Sequence, residues 1–206
     1  MKLYLDLEWI FERLALETSF TQYGSKDHPI RKFASAFILH RIDATSKVLD
    51  LGCKTGEMSM ELASKGAYVV GIDHDAKAIE EARQKHMAPN LEFQCTDAVD
   101  YLKKNERKFD VLILSHILEH LDDPAEFLDE FKVHFDLIYI ELPDFDRSYL
   151  NQYRKDLGSE LIYTDDDHVS EFDRMELGEM LKDRGIVVMD AEYRFGMQRL
   201  WCKVQR

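Results

Sequence analysis

Cysteine and proline are scarce in this chain of 206 residues, and its acidic residues outnumber its basic ones. The three cysteines, Cys53, Cys95 and Cys202, are an odd number at wide spacings. This pattern excludes a disulfide framework and a zinc signature, and it predicts reduced thiols in a cytoplasmic protein. The four prolines are scattered, and no repeat or Pro/Gly/Ser-rich linker divides the sequence. We therefore predict a single domain over residues 1–206.

Long apolar runs and a basic surface are also lacking. Lys+Arg 27 against Asp+Glu 40 gives a formal net charge of −13, which repels phosphate backbones and argues against nucleic acid as a partner. No apolar run approaches the ~20 residues that cross a bilayer, so we expect no membrane association. Acids near the N-terminus interrupt the apolar region that a signal peptide would need.

Short apolar runs alternate with helix-like stretches from about residue 47 onward. Several runs are continuously apolar, as in parallel strands that are buried on both faces. The alternation predicts an α/β fold with a doubly wound, mostly parallel sheet and helices on both faces. Two further runs joined at Gly196-Met197 predict a C-terminal antiparallel hairpin and bring the sheet to seven strands. The seven runs are 47–51, 68–73, 91–95, 109–114, 136–142, 186–195 and 198–205.

Two stretches outside the predicted parallel strands are candidates for lids. Residues 1–45 have the aromatic and apolar faces of a helical cap, and residues 144–172 form an irregular insertion after the fifth strand. Residues 173–206 follow as a helix and the terminal hairpin, since Asp173 and Glu176 have the spacing of a capping box.

The segment from Val48 to Gly56 ends the first strand and opens a helix, where small residues let a ligand approach the backbone. A dinucleotide fingerprint would need glycines at positions 54 and 57, but the chain has Lys54 and Glu57. No Gly-Lys-Ser/Thr follows, so the P-loop is excluded as well.

The remaining pattern, Asp-x-Gly-x-x-x-Gly over Asp50, Gly52 and Gly56, resembles motif I of the class I S-adenosylmethionine-dependent methyltransferases. That family often has a further glycine where this chain has Lys54. The resemblance covers about residues 46–142 well, and it implies a cofactor-binding core that uses S-adenosyl-L-methionine and releases S-adenosyl-L-homocysteine. The cofactor-binding residues that it implies are Asp50, Gly52, Cys53, Gly56, Asp73, His74, Asp97, Ala98 and Ser115.

Two acids match the family at the ends of successive strands. Asp73 lies 21 residues beyond Gly52, where a carboxylate can accept both ribose hydroxyls. Asp97 follows the third strand, where the family places an acid near the adenine amino group. An acid at a strand end is also a common helix cap, so both interpretations of Asp97 stay open.

The segment Ser115–His120 follows the fourth strand and resembles the family's motif beside the methionine end and the acceptor. Methyl transfer needs an in-line attack, and a hydroxyl acceptor also needs a general base or a metal. We expect His168 to be the base, with His116 as the second candidate. The expected function is O-methylation of a small molecule such as a sugar or secondary metabolite.

Two alternatives remain open at this point. Methyltransferases that modify the 3′-terminal ribose 2′-hydroxyl of small RNAs hold Mg²⁺ with an E-x-x-E-H motif and a later histidine. The corresponding residues here are His116, Glu119, His120 and His168, with an imidazole in place of the first carboxylate. Without a metal, these histidines line the substrate pocket or pack within the fold. The second alternative is a non-catalytic interaction module, against which the intact cofactor residues argue.

Overall fold

The fold, taken from a computed structural model, is described for residues 1–24, 26–104 and 108–206. Within these residues the chain forms one seven-stranded sheet. Its strands are β1 Lys47–Leu51, β2 Tyr68–Asp73, β3 Leu91–Cys95, β4 Val111–Ser115, β5 Leu137–Pro143, β6 Ile186–Arg194 and β7 Met197–Val204. The predicted α/β fold with seven strands is confirmed.

The sheet runs in the order β3-β2-β1-β4-β5-β7-β6. The first five strands pair in parallel, and β7 enters antiparallel between β5 and β6. The hairpin turn lies at Phe195 and Gly196, one residue before the predicted position. Both residues have positive φ, 54° and 72°, as a two-residue type I′ hairpin turn requires.

Helices cover both faces of the sheet, as predicted. Asp173 and Glu176 form the full reciprocal capping box at the start of the last helix, and the side chain of Asp123 caps the helix that begins at Pro124. The helices are α1 Lys2–Tyr23, α2 Pro29–Leu39, α3 Glu57–Ser64, α4 Ala76–Lys85, α5 Ala98–Lys104, α6 Pro124–Phe131, α7 Leu150–Asp156 and α8 Arg174–Asp183.

The hydrophobic core has two layers because alternate residues of each central strand point to opposite faces. On one face Leu49 and Leu112 pack with residues of α6 and α8. On the other face Val48 and Ile113 pack with residues of α2 and α3. The burial of both faces explains why these strands are continuously apolar in the sequence.

The N-terminal cap and the 144–172 insertion contact each other. The indole Nε1 of Trp9 in α1 donates to the carbonyl of Tyr163 at 3.0 Å, and Arg13 forms an ion pair with Asp165 at 3.1 Å. The end of the insertion is hydrogen-bonded to the sheet, since the carbonyl of Phe172 accepts from Nε2 of Gln198 in β7 at 2.8 Å. No helix among the described residues has the length and apolarity needed to cross a membrane.

Candidate cofactor and acceptor site

The glycines of the loop after β1 are required by backbone shape and by close packing. Gly52 and Gly56 have φ of 70° and 82°, in the left-handed region that favours glycine. A Cβ at Gly52 would lie 2.5 Å from Cδ1 of Ile117, and a Cβ at Gly56 would lie 2.4 Å from Cζ of Phe93. The two glycines therefore let the loop pack closely against Ile117 and Phe93. The loop lies at the carboxyl end of the sheet, which is where ligands bind in open α/β folds.

Lys54 occupies the position where the family often has a third glycine. Its φ of 48° is also left-handed, so Lys54 adopts a backbone conformation that glycine would adopt without strain. The backbone N–H of Lys54 donates to Oδ2 of Asp73 at 2.9 Å. The departure from the family pattern therefore leaves the loop joined to the end of β2.

Asp73 is the buried last residue of β2 and is held at both carboxylate oxygens. Oδ2 accepts the N–H of Lys54, and Oδ1 accepts the N–H of Asp75 at 2.8 Å. A carboxylate has about four lone-pair positions, so two remain for hydroxyl groups of a ligand. His74 lies beside it with Nδ1 3.8 Å from Oδ1 of Asp73, and the His74 side chain is 94% exposed.

Asp50, in β1, and Cys53, in the loop itself, are both buried. The hydroxyl of Ser59 in α3 donates to Oδ2 of Asp50 at 2.5 Å. Burial raises the pKa of Asp50 to about 6; the Ser59 hydrogen bond opposes this rise and the charge of Asp73 adds to it. Burial, together with the charges of Asp50 and Asp73, also raises the pKa of the Cys53 thiol, which keeps it protonated and makes it a poor nucleophile.

The other predicted cofactor residues lie at the ends of β3 and β4. Asp97 is exposed, and its Oδ1 accepts the N–H groups of Val99 at 2.8 Å and Asp100 at 3.1 Å, so it acts as a helix cap at the start of α5. Ala98 is the first residue of that helix. Ser115 ends β4, and its hydroxyl lies 3.5 Å from Oε2 of Glu141 in the neighbouring strand.

His116 follows β4 in a strained backbone conformation. Its φ is 56°, and its N–H donates to the carbonyl of Glu141 at 2.8 Å. Its Nδ1 donates to Oε1 of the fully buried Glu119 at 2.9 Å, and the His116 side chain is 38% exposed. Burial alone would lower the pKa of His116, but the hydrogen bond and charge of Glu119, with the charge of Glu141, raise it above 6.5.

A buried polar network lies under His116. The carboxylate of Glu141 accepts from Nε of Arg199 at 3.0 Å and from the hydroxyl of Tyr139 at 2.7 Å. Arg199 is itself fully buried, and it also donates to Glu192 at 3.0 Å. Because its charges are paired and hydrogen-bonded, this network can hold the end of β5 rigid beneath the site.

His168 forms a second histidine–glutamate pair in the 144–172 insertion. Its Nδ1 donates to Oε1 of the buried Glu171 at 2.9 Å, and its side chain is only 6% exposed. Thr164 donates to the same Oε1 atom through both its N–H and its hydroxyl. Burial alone would lower the pKa of His168, but the hydrogen bond and charge of Glu171 raise it above 6.5.

The insertion is joined to the turn after β4, so the two pairs lie in one region. The N–H groups of Val169 and Ser170 donate to the carbonyl of Glu119 at 2.9 and 3.2 Å. The rings of His120 and His168 stand edge to face with centroids 4.8 Å apart. The turn Leu118–His120 is a 3₁₀ helix, so residues 116, 119 and 120 do not share one face of an α-helix.

Two groups of side chains among the described residues are spaced to hold a cation. Glu119, His120 and His168 each offer one ligand atom within 4.8 Å of the others, and so do Asp165, Asp167 and His168. His116, which the sequence places in the candidate ligand set, is in neither group. It binds instead to Glu119 through a hydrogen bond.

Sequence reasoning missed Glu171 and Glu141 as parts of the site. Glu171 stands three residues after His168, the same separation as between His116 and Glu119, and this repeated spacing was the available signal. Glu141 gave no such signal, because it reaches His116 only through the pairing of β4 with β5.

The basic residues that could have formed an RNA-binding patch are paired with acids. Arg147 forms an ion pair with Glu12 at 2.7 Å, and Lys155 forms one with Glu176 at 3.3 Å. Arg154 is buried, and it binds the carboxylate of Glu8. The negative charge of the chain is therefore not offset by a free basic group at these positions.

Comparison with known proteins supports the resemblance seen in the sequence. The chain is 33% identical over 104 residues to the ubiquinone biosynthesis O-methyltransferase of Coxiella burnetii, covering 49% of this chain and 44% of that protein. It is 37% identical over 84 residues to the protein of the same name from Thiobacillus denitrificans, covering 40% and 36%. The chain thus spans less than half the length of these two relatives.

Solved structures share the fold at low identity. Magnesium protoporphyrin IX methyltransferase from Synechocystis PCC 6803, crystallised with S-adenosylhomocysteine, superposes with a TM-score of 0.64 at 18% identity over 84% of this chain and 81% of that one. A SAM-dependent methyltransferase from Aquifex aeolicus superposes with a TM-score of 0.64 at 17% identity over 90% and 98%. The methyltransferase domain family matches residues 26–191. The chain therefore belongs to the methyltransferase domain family, and its predicted membership of the class I S-adenosylmethionine-dependent methyltransferases is confirmed.

Proposed function

We propose that this protein transfers a methyl group from S-adenosyl-L-methionine to a hydroxyl of a small molecule. The observation that carries the proposal is the two histidine–glutamate contacts, one in the turn after β4 and one in the insertion that is hydrogen-bonded to that turn. The strand β4 pairs with β1, which leads into the glycine loop. In this proposal the glycine loop and Asp73 would hold the cofactor, and the histidines would supply the base.

The glycine loop and Asp73 suit S-adenosylmethionine. Gly52 and Gly56 hold the loop in a left-handed backbone conformation and leave no room for a Cβ, and Asp73 presents a fixed carboxylate at the end of the neighbouring strand. When bound, S-adenosylmethionine supplies a methyl group on a sulfonium and leaves as S-adenosylhomocysteine. Asp73 would accept the ribose hydroxyls, and the loop backbone would lie along the remainder of the ligand.

His116 is the better placed of the two candidate bases. Its side chain is 38% exposed against 6% for His168, which reverses the order expected from the sequence. Because Nδ1 of His116 is bonded to Glu119, its Nε2 carries the lone pair that can take a proton. His116 would remove the hydroxyl proton of the acceptor as the oxygen attacks the methyl carbon, and Glu119 would stabilise the resulting imidazolium.

A small acceptor is favoured by charge and by the relatives. The formal net charge of −13 and the pairing of Arg147, Arg154 and Lys155 with acids leave these positions without a basic patch for RNA. The relatives reported above are named O-methyltransferases of ubiquinone biosynthesis. These observations support a small hydroxylated acceptor over a 3′-terminal ribose of RNA.

The cofactor half of the proposal is tested by calorimetric titration with S-adenosylmethionine and S-adenosylhomocysteine. We expect one site per chain, with at least tenfold weaker binding in Asp73→Asn. Asp183→Asn at the exposed end of α8 is the matched control and should bind as the wild type does. Absence of binding in the folded wild type would contradict the proposal.

The acceptor half is tested by transfer of a labelled methyl group to a panel of phenols, catechols and sugars, with total RNA as a competing acceptor. We expect transfer to a hydroxyl of one small-molecule class and a loss of about 10²–10⁴-fold in kcat for His116→Gln, the usual contribution of a general base. His134→Gln, in the exposed turn before β5, is the control. Preferential labelling of RNA would overturn this assignment.

A further inference from the structure

We propose that the outer face of α1 binds the same face of a second copy of this chain, with the two helices antiparallel. Six apolar side chains of this helix are between 39 and 76% exposed. We call them the α1 face; they are Leu3, Tyr4, Leu7, Ile10, Phe11 and Leu14. A contiguous apolar surface of this kind marks an interaction site on a protein that is otherwise rich in charge.

The polarity of α1 is the reverse of that of an ordinary surface helix, which buries its apolar stripe and exposes its charges. The charged side chains of α1 bind the rest of the chain through ion pairs, which are Glu8 with Arg154, Glu12 with Arg147, and Arg13 with Asp165. Arg154 is fully buried, so the pair with Glu8 is fixed within the fold. A rotation of α1 that buried its apolar face would break these pairs, and the α1 face is therefore held outward.

The spacing of the α1 face suits a second helix of the same sequence. Leu3, Leu7, Ile10 and Leu14 are separated by four, three and four residues, which is the spacing of a seam between two packed helices. This series is the same in both directions along the helix. Two antiparallel copies related by a two-fold axis can therefore place Leu3 opposite Leu14 of the second copy and Leu7 opposite its Ile10.

The size of the α1 face approaches what a stable dimer needs. A fully exposed large side chain presents about 150–250 Å² of surface, so the exposed fractions of these six leave roughly 600 Å² on each copy. A stable interface of ordinary size buries about 800 Å² on each partner, and part of that area is a polar rim. The α1 face can thus supply most of the apolar centre.

Charge favours a second copy over a lipid surface. The α1 face has no charged residue, so two chains of formal net charge −13 can meet there without placing acids against each other. A helix that lies on a membrane usually has a polar face rich in lysine and arginine. The sequence of α1 instead has four acids and two bases, which would be repelled by anionic lipids.

The edge strand β6 also exposes apolar side chains, but it is a weaker candidate for pairing. Val187, Val188 and Met189 are exposed at this end of the sheet. The register of β6 shifts between Val188 and Asp190, and a bulge of this kind hinders pairing with a further strand. Asp190 is also held by an ion pair with Arg41.

The first test is sedimentation velocity of the full chain over a wide range of concentrations. We expect a monomer–dimer equilibrium whose dissociation constant rises at least tenfold in Leu7→Glu and in Leu14→Glu, because each change places an unpaired charge in the apolar centre. Both side chains face outward, so the circular dichroism spectrum should be unchanged. Met87→Glu adds the same charge at an exposed apolar residue after α4, and this control should dimerise like the wild type.

Disulfide cross-linking tests the antiparallel arrangement, in a Cys95→Ser background that removes the exposed native thiol. A mixture of Leu3→Cys chains and Leu14→Cys chains should form linked dimers under mild oxidation. Leu3→Cys chains alone should not, because the two copies of residue 3 would be about 16 Å apart along the helix axes, too far for a disulfide.

Several outcomes would overturn the inference. These are a monomer at every concentration, a dimer that survives both Leu7→Glu and Leu14→Glu in folded protein, equal dissociation by Met87→Glu, and linkage of Leu3→Cys chains to each other. Flotation with vesicles of phosphatidylcholine and phosphatidylserine tests the lipid alternative; vesicle binding by the wild type that is lost in Leu7→Glu would assign the α1 face to a membrane. All of these measurements are made without cofactor or acceptor, so their results do not depend on the proposed function.

Discussion

The buried carboxyl group of Asp50 gives a prediction whose sign and size can be worked out. Burial raises its pKa from the usual 3.8 to about 6, so the folded state binds this proton more tightly than the unfolded state does. Stability contributed by the protonated acid is therefore lost as the pH rises from about 3.8 to about 6, and the ionised form destabilises the fold by about 3 kcal/mol above that range. Asp50→Asn removes this titration while keeping an acceptor for the Ser59 hydroxyl.

The assay is urea unfolding of the wild type and Asp50→Asn without cofactor, from pH 5 to pH 8. The difference in the free energy of unfolding between the two proteins isolates this one group from the other titrating acids. The wild type should lose about 1.4 kcal/mol relative to the variant between pH 5 and pH 8, with most of the change below pH 7. A difference that is constant across this range, or that changes in the opposite direction, would refute the reasoning. An unchanged m value would show that the unfolded states are comparable.

Three further predictions concern the loop, the cap and the base. Gly56→Ala should lower the melting temperature and weaken S-adenosylmethionine binding at least tenfold, because its Cβ would meet the Phe93 ring in a left-handed backbone. The control Gly178→Ala, in the open middle of α8, should leave cofactor affinity unchanged and raise stability by about 0.5–1 kcal/mol. Equal effects of the two changes on cofactor affinity would contradict the argument. Arg13→Gln removes the exposed ion pairs between α1 and the insertion, so it should lower the free energy of urea unfolding by less than about 1 kcal/mol. It should raise the acceptor KM more than the cofactor Kd. An unchanged acceptor KM would show that the N-terminal cap does not shape the acceptor pocket. The methylation rate should rise with pH through a value above 6.5, because the raised pKa of His116 keeps it protonated at lower pH, and a rate profile that persists in His116→Gln would assign the base elsewhere.

The strands of the sheet could be predicted closely because their signal is local. Short apolar runs identified β1, β2 and β3 with the observed boundaries. The fourth run was predicted two residues early because Phe109 is buried and apolar like the strand that follows. The adjacent Asp110 instead uses its side chain to accept the N–H of Lys47 at 2.9 Å, which is a contact between distant parts of the chain.

The region around His116 and His168 was less predictable because its contacts are not local. His120 and His168 are far apart in the sequence, and only the hydrogen bonds from Val169 and Ser170 to the turn after β4 bring them together. The ion pairs of Arg147 and Arg154 with acids of α1 could not be predicted either, because the composition gives the number of basic residues and not their partners. The position of Asp73 at the end of β2 could be predicted because the apolar run before it is a local sequence pattern.

The place of β7 has a consequence for how the protein is synthesised. This strand is the last of the seven in chain order, yet it lies between β5 and β6 and contributes Leu200 and Cys202 to the core. As the chain leaves the ribosome, the edge of β5 stays unpaired until residues 197–204 have emerged, although the glycine loop and β1–β4 are already available to fold. An unpaired apolar edge is a template for aggregation. A chain that stalls before β7 should therefore depend on chaperones, even though it already carries Gly52, Gly56 and Asp73.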